Sequence, residues 1–389
     1  MRILILVFVI TCFSVSLVQA NNDTLARRYW SLETDLYFGH IVENASNVPK
    51  STNPYLFEFN PSVQTNGNKE WHHIFGFPKV GCSVILGDLG NHRELGNIIG
   101  LMPNITFSIT KHHWYSPRIC FGLGLAYFNR PYDVQNDSNN VYIGSHITAL
   151  AHASLYIQPK ISRHFSLKAG IAVFHASNCH YQVPNLGINL PAVFIGFIYH
   201  PLALPSRFER RRIQVPDSKL KFNIRVGLGV HELAGTFGPV GTPKYAIYIT
   251  DLYLSRRYGR ASNVQAGLEI KHYNSYYNDI ITNERFTDDQ KLKATVISVC
   301  LGHELMIHRF SLLTQGGINI YNPYYNKYVY KKQKGLREEF KKYICARVGV
   351  QYYFFDPKYC TSSNIFIGTY IKANFGQADF ACVQLGFVF

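Results

Sequence analysis

The segment Lys221-Phe222-Asn223-Ile224-Arg225-Val226-Gly227-Leu228-Gly229-Val230 alternates without a break. Phe222, Ile224, Val226, Leu228 and Val230 fall on one face, and Lys221, Asn223, Arg225, Gly227 and Gly229 on the other. That period of two is an extended strand, whose successive side chains point to opposite faces. It recurs over residues 264–271, where Val264, Ala266, Leu268 and Ile270 oppose Gln265, Gly267, Glu269 and Lys271. An apolar face backed by glycine, charge and amide suits a membrane barrel strand, because lipid touches one side and a polar interior the other. A soluble β-sandwich alternates as well, so the period alone does not choose.

The end of the chain separates the two. Ala381, Val383, Leu385, Phe387 and Phe389 share a face, and the last residue is Phe. This resembles the C-terminal strand signal by which bacterial outer-membrane barrels are recognised for insertion, which implies the barrel assembly machinery as a transient partner. At the other end, Arg2 precedes an apolar run over residues 3–18 that closes with Val18-Gln19-Ala20 before the polar Asn21-Asn22-Asp23. That is the pattern of a secretory signal peptide, expected over residues 1–20 with cleavage near Ala20. It argues against the cytosol and nucleus, and so against a nucleic-acid partner. No later apolar run approaches the roughly 20 residues a membrane helix needs.

Composition is consistent with a barrel. Of 389 residues only 16% are charged, which argues against disorder, and the mean hydropathy of −0.06 argues against a bundle of membrane helices. A formal charge of +15 favours anionic partners without naming one. The seven cysteines after the signal, at 82, 120, 179, 300, 345, 360 and 382, show no CxxC spacing, and neither a zinc site nor a disulfide scaffold is expected.

Apolar-alternating segments number about sixteen, each of the ~10-residue kind. Their connections alternate in length: 112–117, 160–164, 255–260 and 306–309 are tight, whereas 129–141, 274–291 and 322–342 are long. Outer-membrane barrels have short periplasmic turns and longer extracellular loops, so both termini are expected in the periplasm. A faint repeat relates Phe121-Gly122-Leu123-Gly124-Leu125-Ala126-Tyr127 to Leu313-Thr314-Gln315-Gly316-Gly317-Ile318-Asn319, each leading to a Pro-Tyr pair. The expected fold is therefore an all-β transmembrane outer-membrane barrel of about 16 antiparallel strands from two eight-stranded halves. The expected divisions are 21–200, a basic periplasmic connector over 201–218, and 219–389. One large barrel is preferred because a polar alternate face suits a wide lumen; two tandem eight-stranded barrels are the alternative.

The segment richest in chemistry is His175-Ala176-Ser177-Asn178, followed by Pro184-Asn185-Leu186-Gly187-Ile188-Asn189. On the strand entering it, Phe165, Leu167, Ala169, Ile171, Val173, His175 and Ser177 share the lipid-facing parity, with Phe174 an exception on the polar face. A serine hydroxyl becomes a nucleophile when an imidazole accepts its proton, and the imidazole needs a third group to orient it. Asn189 is a candidate for that group. Asn185, or loop N–H groups around Asn178 and Gly187, are candidates for holding an ester's oxyanion. HxSN alone is a short and weak pattern, read more readily as an interfacial His and Ser beside an ordinary turn.

The segment resembles the active-site signature of the outer-membrane lipid A 3-O-deacylases, and more closely their longer, Bacteroidetes-type acyloxyacyl-hydrolase relatives. Further likeness lies in Gly87-Asp88-Leu89-Gly90-Asn91 with Leu95-Gly96, and in Lys372-Ala373-Asn374-Phe375-Gly376-Gln377-Ala378-Asp379. The resemblance implies an esterase acting on lipid A in the bacterial outer membrane, without metal or cofactor. It also implies Ser177 as nucleophile, His175 as general base, and Asn185 with nearby backbone amides as the oxyanion hole. Compact relatives have an acidic residue where this chain has Asn189, and they are about half as long.

His272-Tyr273-Asn274-Ser275 looks like a shuffled copy, but strand parity sends His272 and Ser275 to opposite faces, so one catalytic site is expected. Lys331, Lys332, Lys334 and Arg337 lie in a basic loop that reads either as a solvated loop or as a contact for lipopolysaccharide phosphates. A non-catalytic channel or surface-binding barrel is the alternative to the esterase.

Overall fold

Sixteen antiparallel strands form among the described residues, and they close twice. The computed structural model describes residues 28–46, 48–110, 115–203, 208–215, 219–232, 238–329, 335–358 and 363–389; the expected signal peptide lies outside them. The first barrel comprises β1 (Tyr29–Gly39), β2 (Tyr55–Gln64), β3 (Lys79–Asp88), β4 (Asn97–Ser108), β5 (Pro117–Phe128), β6 (Ile147–Ile157), β7 (Phe165–Ser177) and β8 (Ile188–Tyr199). The second comprises β9 (Leu220–Glu232), β10 (Lys244–Arg257), β11 (Ser262–Tyr273), β12 (Thr295–Ile307), β13 (Phe310–Tyr321), β14 (Ile344–Tyr353), β15 (Asn364–Asn374) and β16 (Gln377–Val388). The sequence repeat falls on β5 and β13, the fifth strand of each barrel.

The preference for one wide barrel is corrected by the closing pairs. β1 pairs with β8, from Leu32 opposite Tyr199 to Gly39 opposite Ala192. β9 pairs with β16, from Val230 opposite Ala381 to Asn223 opposite Val388. The reason lies in the inward face. An eight-stranded barrel is just wide enough for side chains to fill, so inward polar groups meet one another instead of lining a pore.

In the first barrel Lys168 lies 3.0 Å from Glu33 and 2.5 Å from Asp35, and Lys79 pairs with Glu33. In the second, Asp251 takes Arg225 at 3.0 Å and Arg347 at 2.9 Å, while Glu269 takes Lys372 at 2.5 Å together with Lys271 and Arg347. Arg225 and Lys372 are 1% and 0% exposed. Buried charges of both signs repay part of their desolvation only in such pairs.

The outward face is apolar, with Ile171, Val173, Val193, Ile195 and Phe197 exposed on the first barrel and Leu228, Val299 and Leu301 on the second. Aromatic rings flank it at the strand ends: Phe165 packs on Tyr199 at 5.2 Å and Phe222 on Phe389 at 6.3 Å. Phe174, the apparent exception in the β7 pattern, points inward, 4.6 Å from the His152 ring and 5.0 Å from the Tyr37 ring. It belongs to the apolar packing that, with Tyr37, Leu56, Ile85 and Leu190, fills the first barrel towards its upper rim, the end at which the odd-numbered strands such as β1 and β7 finish.

The upper rim carries most of the long connections, and two of these hold helices. The β2–β3 link, at the lower rim, is also long and contains α1 (Glu70–Ile74), which breaks the expected alternation. At the upper rim, α2 (Asn274–Thr282) and α3 (Gln290–Lys293) lie between β11 and β12, and α4 (Leu336–Tyr343) between β13 and β14. The β15–β16 link at that rim is a second departure, the two-residue turn Phe375-Gly376. Both residues have positive φ (43° and 80°), a hairpin geometry matched to strand twist.

Candidate active site

His175 continues the outward row of β7 directly above Val173, and it is exposed. Its cross-strand partner in β8 is Asn189. The two side chains meet at 2.8 Å, His175 Nδ1 to Asn189 Oδ1. With the amide oxygen as acceptor, Nδ1 carries the proton and Nε2 keeps its lone pair, the form that can act as a base.

Ser177 shares the parity of His175 but is only 9% exposed, because the loop over residues 178–187 folds across it. Its Oγ accepts two hydrogen bonds, from Asn185 Nδ2 at 2.9 Å and from the Cys179 N–H at 3.2 Å. Both are bonds it accepts, so its own proton is left to give. Among the described residues, no hydrogen bond joins His175 to Ser177 directly. Gly187 sits beside both: a Cβ added there would lie 3.3 Å from His175 Cε1 and 3.6 Å from Ser177 Cβ, and the residue holds φ +76°.

The loop is tied internally and to its neighbour. Asn185 Oδ1 accepts the Asn178 N–H at 3.2 Å, and Asn178 Nδ2 donates to Ser145 Oγ at 3.1 Å and to the Gln182 carbonyl at 2.7 Å. The Leu186 and Gly187 N–H groups donate to the Val141 and Tyr142 carbonyls at 3.1 and 2.9 Å. These commitments narrow the expected oxyanion set. The N–H groups of Asn178 and Gly187 already have acceptors, so neither is available to an oxyanion. Two of the expected groups point at Ser177: Asn185 Nδ2 and, among the loop N–H groups around Asn178, that of Cys179. Residue type could not reveal that donor, since every residue but proline carries one. The Cys179 thiol is no rival nucleophile: burial pushes it up to about 12 and keeps it protonated.

The shuffled copy resolves differently from its order in the chain. His272 Nδ1 faces Thr295 Oγ1 at 3.1 Å, while Ser275 bonds His231 Nε2 at 2.7 Å. His231 Nδ1 lies 3.6 Å from Asp379, which also accepts from the Tyr273 hydroxyl at 2.7 Å and from Asn374 at 3.1 Å. This is a Ser-His-Asp chain in the second barrel, but Ser275, in the first turn of α2, is 0% exposed and offers no route to a substrate.

The other resembling stretches build turns. Asp88 Oδ1 accepts the Gly90 N–H at 2.7 Å, and Asn91 Oδ1 accepts the Glu94 N–H at 3.0 Å. Lys331, Lys332 and Lys334 lie outside the described residues, and Arg337 is exposed in the first turn of α4.

Among solved structures, the crystal structure of the outer membrane enzyme PagL aligns at 15% identity and TM-score 0.29, covering 42% of this chain and 97% of its own. The β domain of the Bordetella autotransporter BrkA aligns at 9% and 0.24, covering 93% and 98%. Pseudomonas aeruginosa OccK5 (OpdH) aligns at 9% and 0.21, covering 93% and 97%. Among curated protein sequences no relative matches. Family descriptions match both barrels in turn: lipid A 3-O-deacylase (PagL) over residues 56–197, and acyloxyacyl hydrolase, C-terminal domain, over residues 220–360. With the first match spanning most of β2–β8 and the second running from β9 beyond β14, the chain belongs to the outer-membrane lipid A 3-O-deacylase and acyloxyacyl hydrolase family.

Proposed function

We propose that this protein is an outer-membrane esterase that removes an ester-linked acyl chain from lipid A or a related glycolipid, with Ser177 as nucleophile and His175 as base. The observation that carries the reading is position. The His175–Asn189 pair stands at the top of an exposed apolar column, Ile171 and Val173 on β7 and Val193 and Ile195 on β8. An acyl chain lying along that column presents its ester carbonyl at the level of the pair.

In the proposed reaction the Ser177 Oγ attacks the ester carbonyl carbon while His175 Nε2 takes the hydroxyl proton. Asn189 holds the imidazole in the required tautomer. The negative charge that develops on the carbonyl oxygen is met by Asn185 Nδ2 and the Cys179 N–H, the two donors already aimed at Ser177 Oγ. Collapse breaks the bond to the sugar oxygen, which takes the proton from His175, and leaves an acyl-serine. Water, deprotonated by the same imidazole, then releases the fatty acid and restores the hydroxyl.

The upper rim is assigned to the cell exterior and the connector after β8 to the periplasm, which sets the site at the outer leaflet. Arg337 and the lysines preceding it are proposed to contact lipopolysaccharide phosphates. Filled interiors in both barrels weigh against a channel. The test is the lipid A mass spectrum of cells carrying wild-type or Ser177→Ala protein: loss of an acyl chain only with wild type is expected, and identical spectra overturn the proposal.

A further inference from the structure

The second barrel grips the loop that covers Ser177. Glu232, the last residue of β9 and 2% exposed, accepts the Val183 N–H at 2.7 Å through Oε2. Its Oε1 accepts the Thr242 hydroxyl at 3.0 Å, and its own N–H donates to the His180 carbonyl at 3.3 Å. Lys244, its cross-strand partner in β10, donates to Gln182 Oε1 at 3.2 Å and lies 3.9 Å over the Tyr181 ring. Four consecutive residues, 180 to 183, are thus engaged from the other barrel. Two positions further on, Asn185 spends one end of its amide on Ser177 Oγ and the other on the Asn178 N–H.

The end of β9 is itself braced. His231, next to Glu232, is held between Ser275 and Asp379 inside the second barrel. This gives the buried Ser-His-Asp chain a role that needs no substrate: it fixes the strand end from which Glu232 reaches out. A loop N–H with no ladder partner needs an acceptor, and a carboxylate makes the stronger, charge-assisted bond.

We infer that Glu232 is a positioning residue for the ester-cleaving site of the first barrel, and that the second barrel serves as a clamp on that site. The inference rests on the reading of Ser177 as nucleophile. Glu232 acts through Val183 on the backbone that aims Asn185 and the Cys179 N–H. Displacing such donors by about 1 Å costs on the order of 100-fold in rate. Substrate binding along the apolar column is untouched, so kcat falls while KM holds. Glutamine keeps an oxygen that can accept the Val183 N–H and an amide that can donate to the Thr242 hydroxyl, so it rescues.

The experiment uses the full chain folded in detergent micelles with purified lipid A. It compares wild type, Glu232→Ala, Glu232→Gln and Lys244→Met for kcat, KM and backbone hydrogen exchange over residues 178–187. Glu232→Ala is expected to lower kcat by roughly 10- to 100-fold with KM nearly unchanged, and to speed exchange in the loop while β1–β8 stay protected. Glu232→Gln is expected to stay near wild type, and Lys244→Met to fall between. Unchanged kcat and loop exchange in Glu232→Ala overturn the inference, as does a Gln variant as damaged as the Ala variant. Should Glu232→Ala fail to give a folded, heat-modifiable barrel, Lys244→Met decides, and unchanged loop exchange there overturns it. If wild type cleaves no ester from lipid A, the esterase reading fails and the exchange data alone decide the clamp.

Discussion

His175 Nδ1 and Asn189 Oδ1 lie 2.8 Å apart across the β7–β8 pair, on the outside of the barrel. A neutral amide orients the ring but gives the imidazolium no full charge, and a charge-assisted bond is stronger than a neutral one by about 1–1.5 kcal/mol. Asn189→Asp is therefore expected to raise kcat roughly tenfold. Asn189→Ala, which frees the ring, is expected to lower it. Initial rates of fatty-acid release from lipid A in micelles check both; a slower Asp variant contradicts the proposed role.

Two serines bonded near imidazoles give opposite expectations. A fluorophosphonate probe labels a serine that is both activated and reachable. Ser177, at the rim beside an exposed imidazole, is expected to label, and Ser177→Ala to abolish labelling with the barrel still folded. Ser275 bonds His231 at 2.7 Å but is fully buried, so Ser275→Ala is expected to leave labelling intact. In-gel fluorescence of the two variants reads the difference directly.

Asn185 and Gly187 act on the same few ångströms in different ways. Removing one oxyanion donor costs about 10²–10³ in kcat, and Asn185→Ala is expected to fall in that range. Gly187→Ala adds a Cβ 3.3 Å from His175 Cε1 at a φ of +76°, where alanine is strained by about 1 kcal/mol. It is expected to slow acylation by moving the imidazole, with a smaller loss than Asn185→Ala. Single-turnover rates rank the two.

Closure as two barrels makes β1 and β8 neighbours. Leu36 faces Ile195 across that pair. Directly opposed residues of antiparallel strands stand about 4.5–5.5 Å apart at Cα, within disulfide reach. The double variant Leu36→Cys, Ile195→Cys is expected to cross-link on oxidation, seen as a mobility shift that reductant reverses. A single sixteen-stranded barrel would set these strands on opposite sides and give no cross-link.

The features legible in the sequence were those governed by local periodicity. Parity alone placed His175 on the lipid-facing wall of β7, because side-chain direction in a strand follows from counting by two; for Ser275 the count fails, since β11 ends at Tyr273 and Ser275 lies in α2. The number of closures was not legible, since it rests on pairing between Leu32 and Tyr199 or between Lys168 and Glu33, far apart in the chain. The same limit hid Glu232, which lies 49 residues from the Val183 N–H it holds. The state of the Gly187 N–H was hidden for a related reason: whether it is free depends on where the Tyr142 carbonyl falls.

Asp137 couples pH to the same neighbourhood. It lies in the β5–β6 loop, where its N–H donates to the Asp133 carbonyl at 2.9 Å, and that loop supplies the carbonyls of Val141 and Tyr142 that hold Leu186 and Gly187. Desolvation, reinforced by the nearby Glu94 carboxylate and only partly offset by Arg130, raises the Asp137 carboxyl to about 6. A folded value above the unfolded 3.8 means that the folded loop holds the proton more tightly. Its stabilisation is complete below about pH 4 and is lost as pH rises through 6. An amide at this position has no charge to bury, so Asp137→Asn is expected to protect the loop better than wild type at pH 7 and equally at pH 4. Hydrogen exchange over residues 133–143, compared between the two proteins at each pH, cancels the intrinsic pH dependence of exchange. Equal exchange at pH 7, or a difference that persists at pH 4, contradicts the assignment.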